Sequence, residues 1–278
     1  MPVILTRGKH TSPLCGRSGG GLMKIGIISD IHEDGIRLMQ ALARLEKHNC
    51  DKLVCLGDIA GFDKRFYGFE ITRNLSYCIQ AIRASCSQVI PGNHDFFVMK
   101  KIPERNHVFE YPENWYELSP SERNTLSNGI VWNFEHDLPV NISANDLEWL
   151  NSLEEYYILE NNGLRILFTH SLFPDPAGML TRKPVKHSDF EPHTGKLAEM
   201  NCDFGISGHF HPGGVFRIAK NKTKPAKFGL LDIGPRILQL VCPCVAEGSQ
   251  DNGYAVLDTK ERTIEVFPLR TPKQQIIW

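Results

Sequence analysis

From Met23 onward, short apolar runs alternate with stretches whose apolar residues recur every three or four positions. Residues 24–29 form an apolar run of the length expected of a buried strand. In 35–48, Ile36, Met39, Leu42 and Leu45 fall three apart, which predicts a helix with these side chains on one face. Residues 52–56 read as a second strand. Ile71, Leu75, Cys78, Ile79 and Ile82 mark a second helix, and 88–90 a third strand that stops at Pro91-Gly92. Strand–helix–strand–helix–strand implies a parallel sheet with helices on its faces.

The pattern breaks over 96–145, which is rich in Pro, Asn, Glu and aromatics (Phe96, Phe97, Phe109, Tyr111, Trp115, Tyr116, Trp132). This segment is read as a partly helical insertion in a single domain spanning 23–278. Ser143 with Asp146 three residues on has the form of a helix N-cap, with a short helix running to Leu153. Strands are expected at 155–160 and 164–169, joined by Asn161-Asn162-Gly163. A helix near 194–200 leads to a strand at 203–207. After 214 the signal is mostly β, at 215–219, 228–233, 236–241, 253–258 and 262–267. The first 22 residues differ from the rest. A three-residue apolar patch is too short for a signal peptide, and the Gly19-Gly20-Gly21 run has linker composition, so 1–22 is expected to be a disordered leader.

Composition narrows the function classes. The net charge is -1, which argues against broad electrostatic capture of nucleic acid. No apolar run approaches the roughly 18 residues of a membrane span. Cysteines such as Cys55 sit inside apolar segments, which suits reduced, buried thiols and a cytoplasmic protein. Cys242-Pro-Cys244 lacks the two-residue spacer of a zinc knuckle or redox motif, and two packed residues are the simpler expectation.

The chemistry lies at the strand ends. Ser29-Asp30-Ile31-His32 follows the first strand, Leu56-Gly57-Asp58 ends the second, and Gly92-Asn93-His94-Asp95 follows the third. Phe168-Thr169-His170 and Gly208-His209-Phe210-His211 close two later strands. Ligands of open α/β sheets bind outside the carboxyl ends of strands, so these loops should converge. Asp, His and Asn are ligands suited to zinc, manganese, iron or nickel. Asp-x-His is expected to set both side chains on one side of an extended segment, and His209-x-His211 to repeat that geometry. The glycines before Asp58, Asn93 and His209 allow close backbone approach.

In this order the motifs resemble the calcineurin-like metallophosphoesterase family, over residues 24 to about 212. The resemblance implies a four-layer α/β/β/α sandwich of two mixed sheets, with a dinuclear metal site at the strand C-terminal ends. It implies that Asp30, His32, Asp58 and His211 bind one divalent ion. Asp58, Asn93, His170 and His209 would bind the second, with Asp58 shared. His94 matches the general-acid position. The implied reaction is hydrolysis of a phosphomonoester or phosphodiester by a hydroxide bridging the two ions, with His94 protonating the leaving group. Asp95 or Asp63 is the expected partner of the His94 imidazole.

Departures from the family point to a substrate class. Protein Ser/Thr phosphatases follow Gly-Asp with Val-Asp-Arg-Gly and precede Gly-Asn-His with Arg. Here Ile59-Ala60-Gly61-Phe62 and Pro91 take those places, so both phosphate-clamping arginines are missing. A small-molecule or nucleotide phosphoester is therefore expected over a phosphoprotein, with Arg65, Arg73, Arg182 and Arg217 as candidate phosphate contacts elsewhere. Asp232-Ile233-Gly234-Pro235-Arg236 and Gly253-Tyr254-Ala255-Val256-Leu257-Asp258 resemble the small bacterial phosphodiesterase branch. There the insertion would be a lid, its aromatics either stacking on a base or packing. A binding scaffold on the same fold, without turnover, is the alternative.

Overall fold

The computed structural model describes residues 23–105, 108–184, 186–220 and 222–276. The expected leader lies outside them. Strands β1 (Lys24–Ile28), β2 (Lys52–Cys55) and β3 (Gln88–Val89) pair in parallel. Antiparallel β11 (Gly253–Asp258), β12 (Thr263–Pro268) and β9 (Gly229–Asp232) extend that sheet in the order β3-β2-β1-β11-β12-β9. The second sheet runs β4 (Tyr156–Asn161), β5 (Leu164–Thr169), β6 (Phe204–Ser207), β10 (Ile237–Val241), β7 (Val215–Ala219) and β8 (Lys222–Lys227).

Alternation along the strands produces the layers. Ile25, Ile27, Val54 and Leu56 of one sheet share a core with Ile166, Phe168, Phe204 and Ile206 of the other. The intervening Ile28 and Cys55 point the opposite way, to helices α1 (Gly35–Leu45), α2 (Leu75–Ser85), α3 (Asn93–Met99) and, beyond the short α4 (Pro120–Leu126) of the insertion, α5 (Ala144–Asn151). Leu167 faces α6 (Glu191–Glu199) through Leu197. Strands buried on both faces read as continuous apolar runs. The result is the expected α/β/β/α sandwich of two mixed sheets.

Four local expectations change. On α1 the buried side chains are Leu38, Ala41 and Leu45, whereas Ile36 is 38% and Met39 53% exposed. The stripe Leu38–Ala41–Leu42–Leu45 follows the i, i+3, i+4, i+7 rule more fully than the three-apart set. Helix α2 starts at Leu75, capped by the Asn74 side chain, and Ile71 lies in a preceding 3-10 turn, fully exposed. Residues 93–99, read as loop and start of the insertion, form α3. Strand β8 was not expected, because three lysines and Pro225 oppose strand formation. They suit an edge strand, where charge and Pro block further pairing.

Other local chemistry agrees with the sequence. The Ser143 hydroxyl caps α5 by accepting from the Asp146 amide. Asn162 and Gly163 both take positive φ in the β4–β5 hairpin, as an Asn-Gly turn requires. The described cysteines are all free, with Cys242 and Cys244 buried. Among the described residues no helix is long and apolar enough to cross a membrane.

The revised face of α1 is testable by urea denaturation. Leu38→Ala should cost about 2–5 kcal/mol of unfolding free energy, and Met39→Ala less than about 0.5 kcal/mol. Equal losses would return Met39 to the inner face.

Candidate metal centre

All the strand-end residues meet at one edge of the sandwich. Three sets of donor atoms each lie within 4.8 Å of one another: Asp30, His32 and His211; His32, Asp58 and His94; Asp58, His170 and His209. His211 Nε2 is 3.1 Å from Asp30 Oδ1. His170 Nε2 is 3.2 Å from both Asp58 Oδ2 and Asn93 Oδ1. His32 Nε2 is 3.3 Å from His211 Nε2 and 3.8 Å from Asp58 Oδ2.

The expected extended Asp-x-His geometry is not what brings them together. Asp30, His32, Glu33, Asp58, His209 and His211 all have positive φ. Non-glycine residues rarely adopt this region, and each costs on the order of 1–3 kcal/mol unless its surroundings impose it. Backbone hydrogen bonds between neighbouring loops impose it here. Asp30 N donates to Gly57 O, Ile31 N and His32 N both donate to Asp58 O, and Glu33 N donates to Ile59 O. Asp95 ties the second loop to the third by accepting from the amides of Ile59, Ala60 and Gly92. Two glycines make the approach possible. A Cβ on Gly92 would meet Asp58 Oδ1 at 2.2 Å, and one on Gly208 would meet Ser29 Oγ at 1.8 Å.

Four of the ligand candidates have an orienting partner outside the set or on its backbone. His32 Nδ1 donates to Gly61 O and His170 Nδ1 to Leu56 O, both at 2.7 Å, which leaves each Nε2 facing the centre. Asp30 accepts from Ser29 Oγ at 2.5 Å and from the His209 amide. Asp58 Oδ1 accepts from the His94 amide at 2.9 Å.

The electrostatics favour a cation. Asp30 and Asp58 are 0% and 2% exposed, and among the described residues their only basic partners are imidazoles. Burial alone would raise both carboxyls, but the neighbouring imidazoles outweigh it and hold both below the usual range. Burial lowers His32 and His209 to about 3, which keeps them neutral, the form that ligates. His170 behaves differently: burial opposes its charge, yet Asp58 and Asp30 push it up to about 9. Its proton thus sits where a divalent ion would bind, and the donor set fits such an ion.

The partner of His94 differs from expectation. Asp95 is occupied by backbone amides, and Asp63 is paired with Arg65. Asp137 Oδ2 lies 2.6 Å from His94 Nδ1 instead. Burial opposes charge on this imidazole, but Asp137 and Asp58 prevail and push it up to about 10. Asp137 comes from the insertion, on a segment anchored at both ends. Trp132 N donates to Met179 O and Thr181 N to Ile130 O at one end, and Leu138 N donates to Phe62 O at the other. No local motif in Glu135-His136-Asp137 announced this role. Gly61 gives the complementary signal, since a Cβ there would meet His94 Nδ1 at 2.2 Å.

The centre opens into a cavity of about 660 Å³, walled by Asp63, Arg65, Phe66 and Tyr67, by 131–137 of the insertion, and by Lys183 and Phe210. Of the four candidate arginines only Arg65 lines it. Arg73 pairs with Glu33 and donates to Pro139 O, and Arg182 pairs with Asp189. Phe109 and Tyr111 pack edge-on against buried Trp115, while Trp132 and Phe134 face the cavity.

Residues 23–213 match the sequence model of the calcineurin-like phosphoesterases. An uncharacterized protein of Methanocaldococcus jannaschii is 27% identical over 164 residues, 54% of each chain, so the chain spans about half the length of that relative. A metallophosphoesterase from Sphaerobacter thermophilus superposes with a TM-score of 0.56 at 15% identity, covering 90% of this chain and 89% of its own. A hypothetical protein from Pyrococcus horikoshii OT3 does so with a TM-score of 0.56 at 12% identity, covering 90% and 88%. At these identities the superpositions establish the fold.

Metal binding should displace the proton on His170, so affinity should rise with pH from 7 to about 9. Calorimetric titration of manganese into metal-free protein at pH 7, in buffers of different ionisation enthalpy, should reveal release of about one proton. Buffer-independent heats would mean that His170 is already neutral.

Proposed function

Because the chain belongs to the calcineurin-like phosphoesterase family, we propose that it is a metal-dependent hydrolase of phosphomonoesters or phosphodiesters, with a small-molecule or nucleotide substrate. One observation carries this reading: the donor atoms of two buried carboxylates and four imidazoles cluster beside a cavity lined by His94, an imidazole with its own carboxylate partner. Asp30, His32, Asp58 and His211 would hold one divalent ion, and Asp58, Asn93, His170 and His209 a second. Ions bound there supply Lewis acidity to phosphoryl oxygens and lower the pKa of water.

The remaining work falls to side chains. Asp137 accepts from His94 Nδ1, fixing the ring and stabilising its charged form. Nε2 is then the atom that passes a proton to the departing oxygen. The Asp58 carboxylate fixes the acid from the other side by accepting from the His94 amide. The cavity volume suits a small ligand, and the insertion segment 131–137 restricts entry to it as a lid.

Manganese-loaded protein should hydrolyse p-nitrophenyl phosphate or bis-p-nitrophenyl phosphate. Asp58→Asn should abolish turnover with an unchanged circular dichroism spectrum. A folded, metal-loaded protein inert on both esters and on a nucleotide panel would leave a binding scaffold as the better reading.

Leaving-group dependence tests the acid. On alkyl esters His94→Ala should lower kcat by about 10²–10⁴-fold. Asp137→Asn should lower it less, in the same direction. Both losses should shrink on p-nitrophenyl esters, whose leaving group departs without protonation. Losses of equal size on both ester types would assign the pair to binding.

A further inference from the structure

Arg65 is built as a recognition group. Its Nε lies 3.1 and 3.0 Å from the two Asp63 oxygens, and its Nη2 2.6 Å from Oδ2. Its backbone amide donates to Asp63 Oδ1 at 2.8 Å. The guanidinium carbon also sits 5.2 Å from the centroid of the Phe66 ring. Asp63 is 4% exposed, so a buried carboxylate aims the guanidinium. The third nitrogen, Nη1, has no partner among the described residues. A guanidinium fixed on one edge and open on the other loses little side-chain freedom on binding an oxyanion, and its planar fork matches phosphate and carboxylate.

Its location gives this a direction. Asp63 and Asp137 form an isolated antiparallel bridge, and Asp137 holds His94. Arg65 is therefore two residues from the rung that supports the acid, on the same cavity wall. Lys183, which has no ion pair among the described residues, lines the same cavity and adds a second positive charge.

We propose that Arg65 is an anion anchor on the leaving-group side of the cavity, selecting phosphoesters whose departing alcohol carries a second phosphate or carboxylate. The direction rests on the hydrolase reading, in which His94 faces the leaving oxygen; the anion site itself does not. Nucleoside bisphosphates and phosphorylated dinucleotides have this chemistry. A neutral alcohol leaves the open edge of Arg65 unused.

Phosphonates separate binding from turnover, since their carbon–phosphorus bonds are not esters. Calorimetric titration of manganese-loaded protein should show propane-1,3-bisphosphonate binding about tenfold or more tightly than propylphosphonate, the increment of one charge-assisted hydrogen bond. Arg65→Gln should erase that preference and leave propylphosphonate affinity unchanged. Arg182→Gln, outside this cavity, should retain it. If Arg65→Gln does not fold, Arg65→Lys must cut the preference at least threefold. Equal affinities in the wild type, or a preference that survives the Arg65 variant, overturns the proposal. Bis-p-nitrophenyl phosphate turnover in the same samples isolates the hydrolase reading. Turnover without the preference sinks the anchor alone, and the preference without turnover on any ester sinks the hydrolase alone.

Discussion

Two carboxylates, Asp30 and Asp58, are buried side by side at the sandwich edge, and their only basic partners among the described residues are imidazoles. Burying one ionised carboxylate is costly, and burying two together adds their repulsion. The neighbouring imidazoles outweigh this and hold both carboxyls below the usual range, although His32 and His209 are themselves too buried to carry charge near neutrality. Asp58 and Asp30 in turn push the His170 imidazole up to about 9 against the effect of burial. Two buried carboxylates among imidazoles form a donor set that fits a divalent cation.

Holding that arrangement requires strained backbone. Asp30, His32, Asp58, His209 and His211 lie in the left-handed region on three different loops. Strain of this kind persists only where surrounding structure over-determines it. The ladder of amides from Asp30–Glu33 onto Gly57–Ile59 supplies that constraint, and Asp95 joins the Gly92 loop to it. The loops of Asp30, Asp58 and Gly92 continue β1, β2 and β3, whose parallel pairing fixes their spacing, and the loop of His209 and His211 follows β6. The sheets are rigid so that the rim can be strained.

The central strands and the helices were legible in the sequence because those strands are buried on both faces and the helices carry periodic stripes, whereas the pairing of two sheets into a sandwich was implied only by the resemblance of the strand-end motifs to a family. Departures arose where a local rule was incomplete. Ile36 and Met39 formed a three-apart series, yet the broader stripe through Leu38 is the one that packs. β8 was hidden by lysines whose purpose is to end a sheet. The ligand positions were legible as residue types at strand ends, but their backbone geometry was not: alternation predicts extended Asp-x-His, and only the contacts between loops reveal the left-handed form. Asp137 was illegible for a further reason. It reaches His94 from 43 positions away along the chain, through a segment positioned by hydrogen bonds to 179–181 and Phe62.

That long reach separates two kinds of residue. The ion-binding candidates belong to loops fixed by the sheets, whereas the carboxylate that sets His94 belongs to the insertion. Gly61 shows why the division is needed. The Gly-Asp loop passes so close to His94 that no side chain fits at Gly61, so the imidazole must find its partner elsewhere. The insertion segment supplies it and at the same step pairs with Asp63, the residue that aims Arg65. Acid and anchor are therefore mechanically linked through one rung. On the roles proposed for His94 and Arg65, a shift of the segment that weakened the hold on His94 would also misdirect the guanidinium, so proton delivery and recognition of the departing group would be coupled through the same backbone contact.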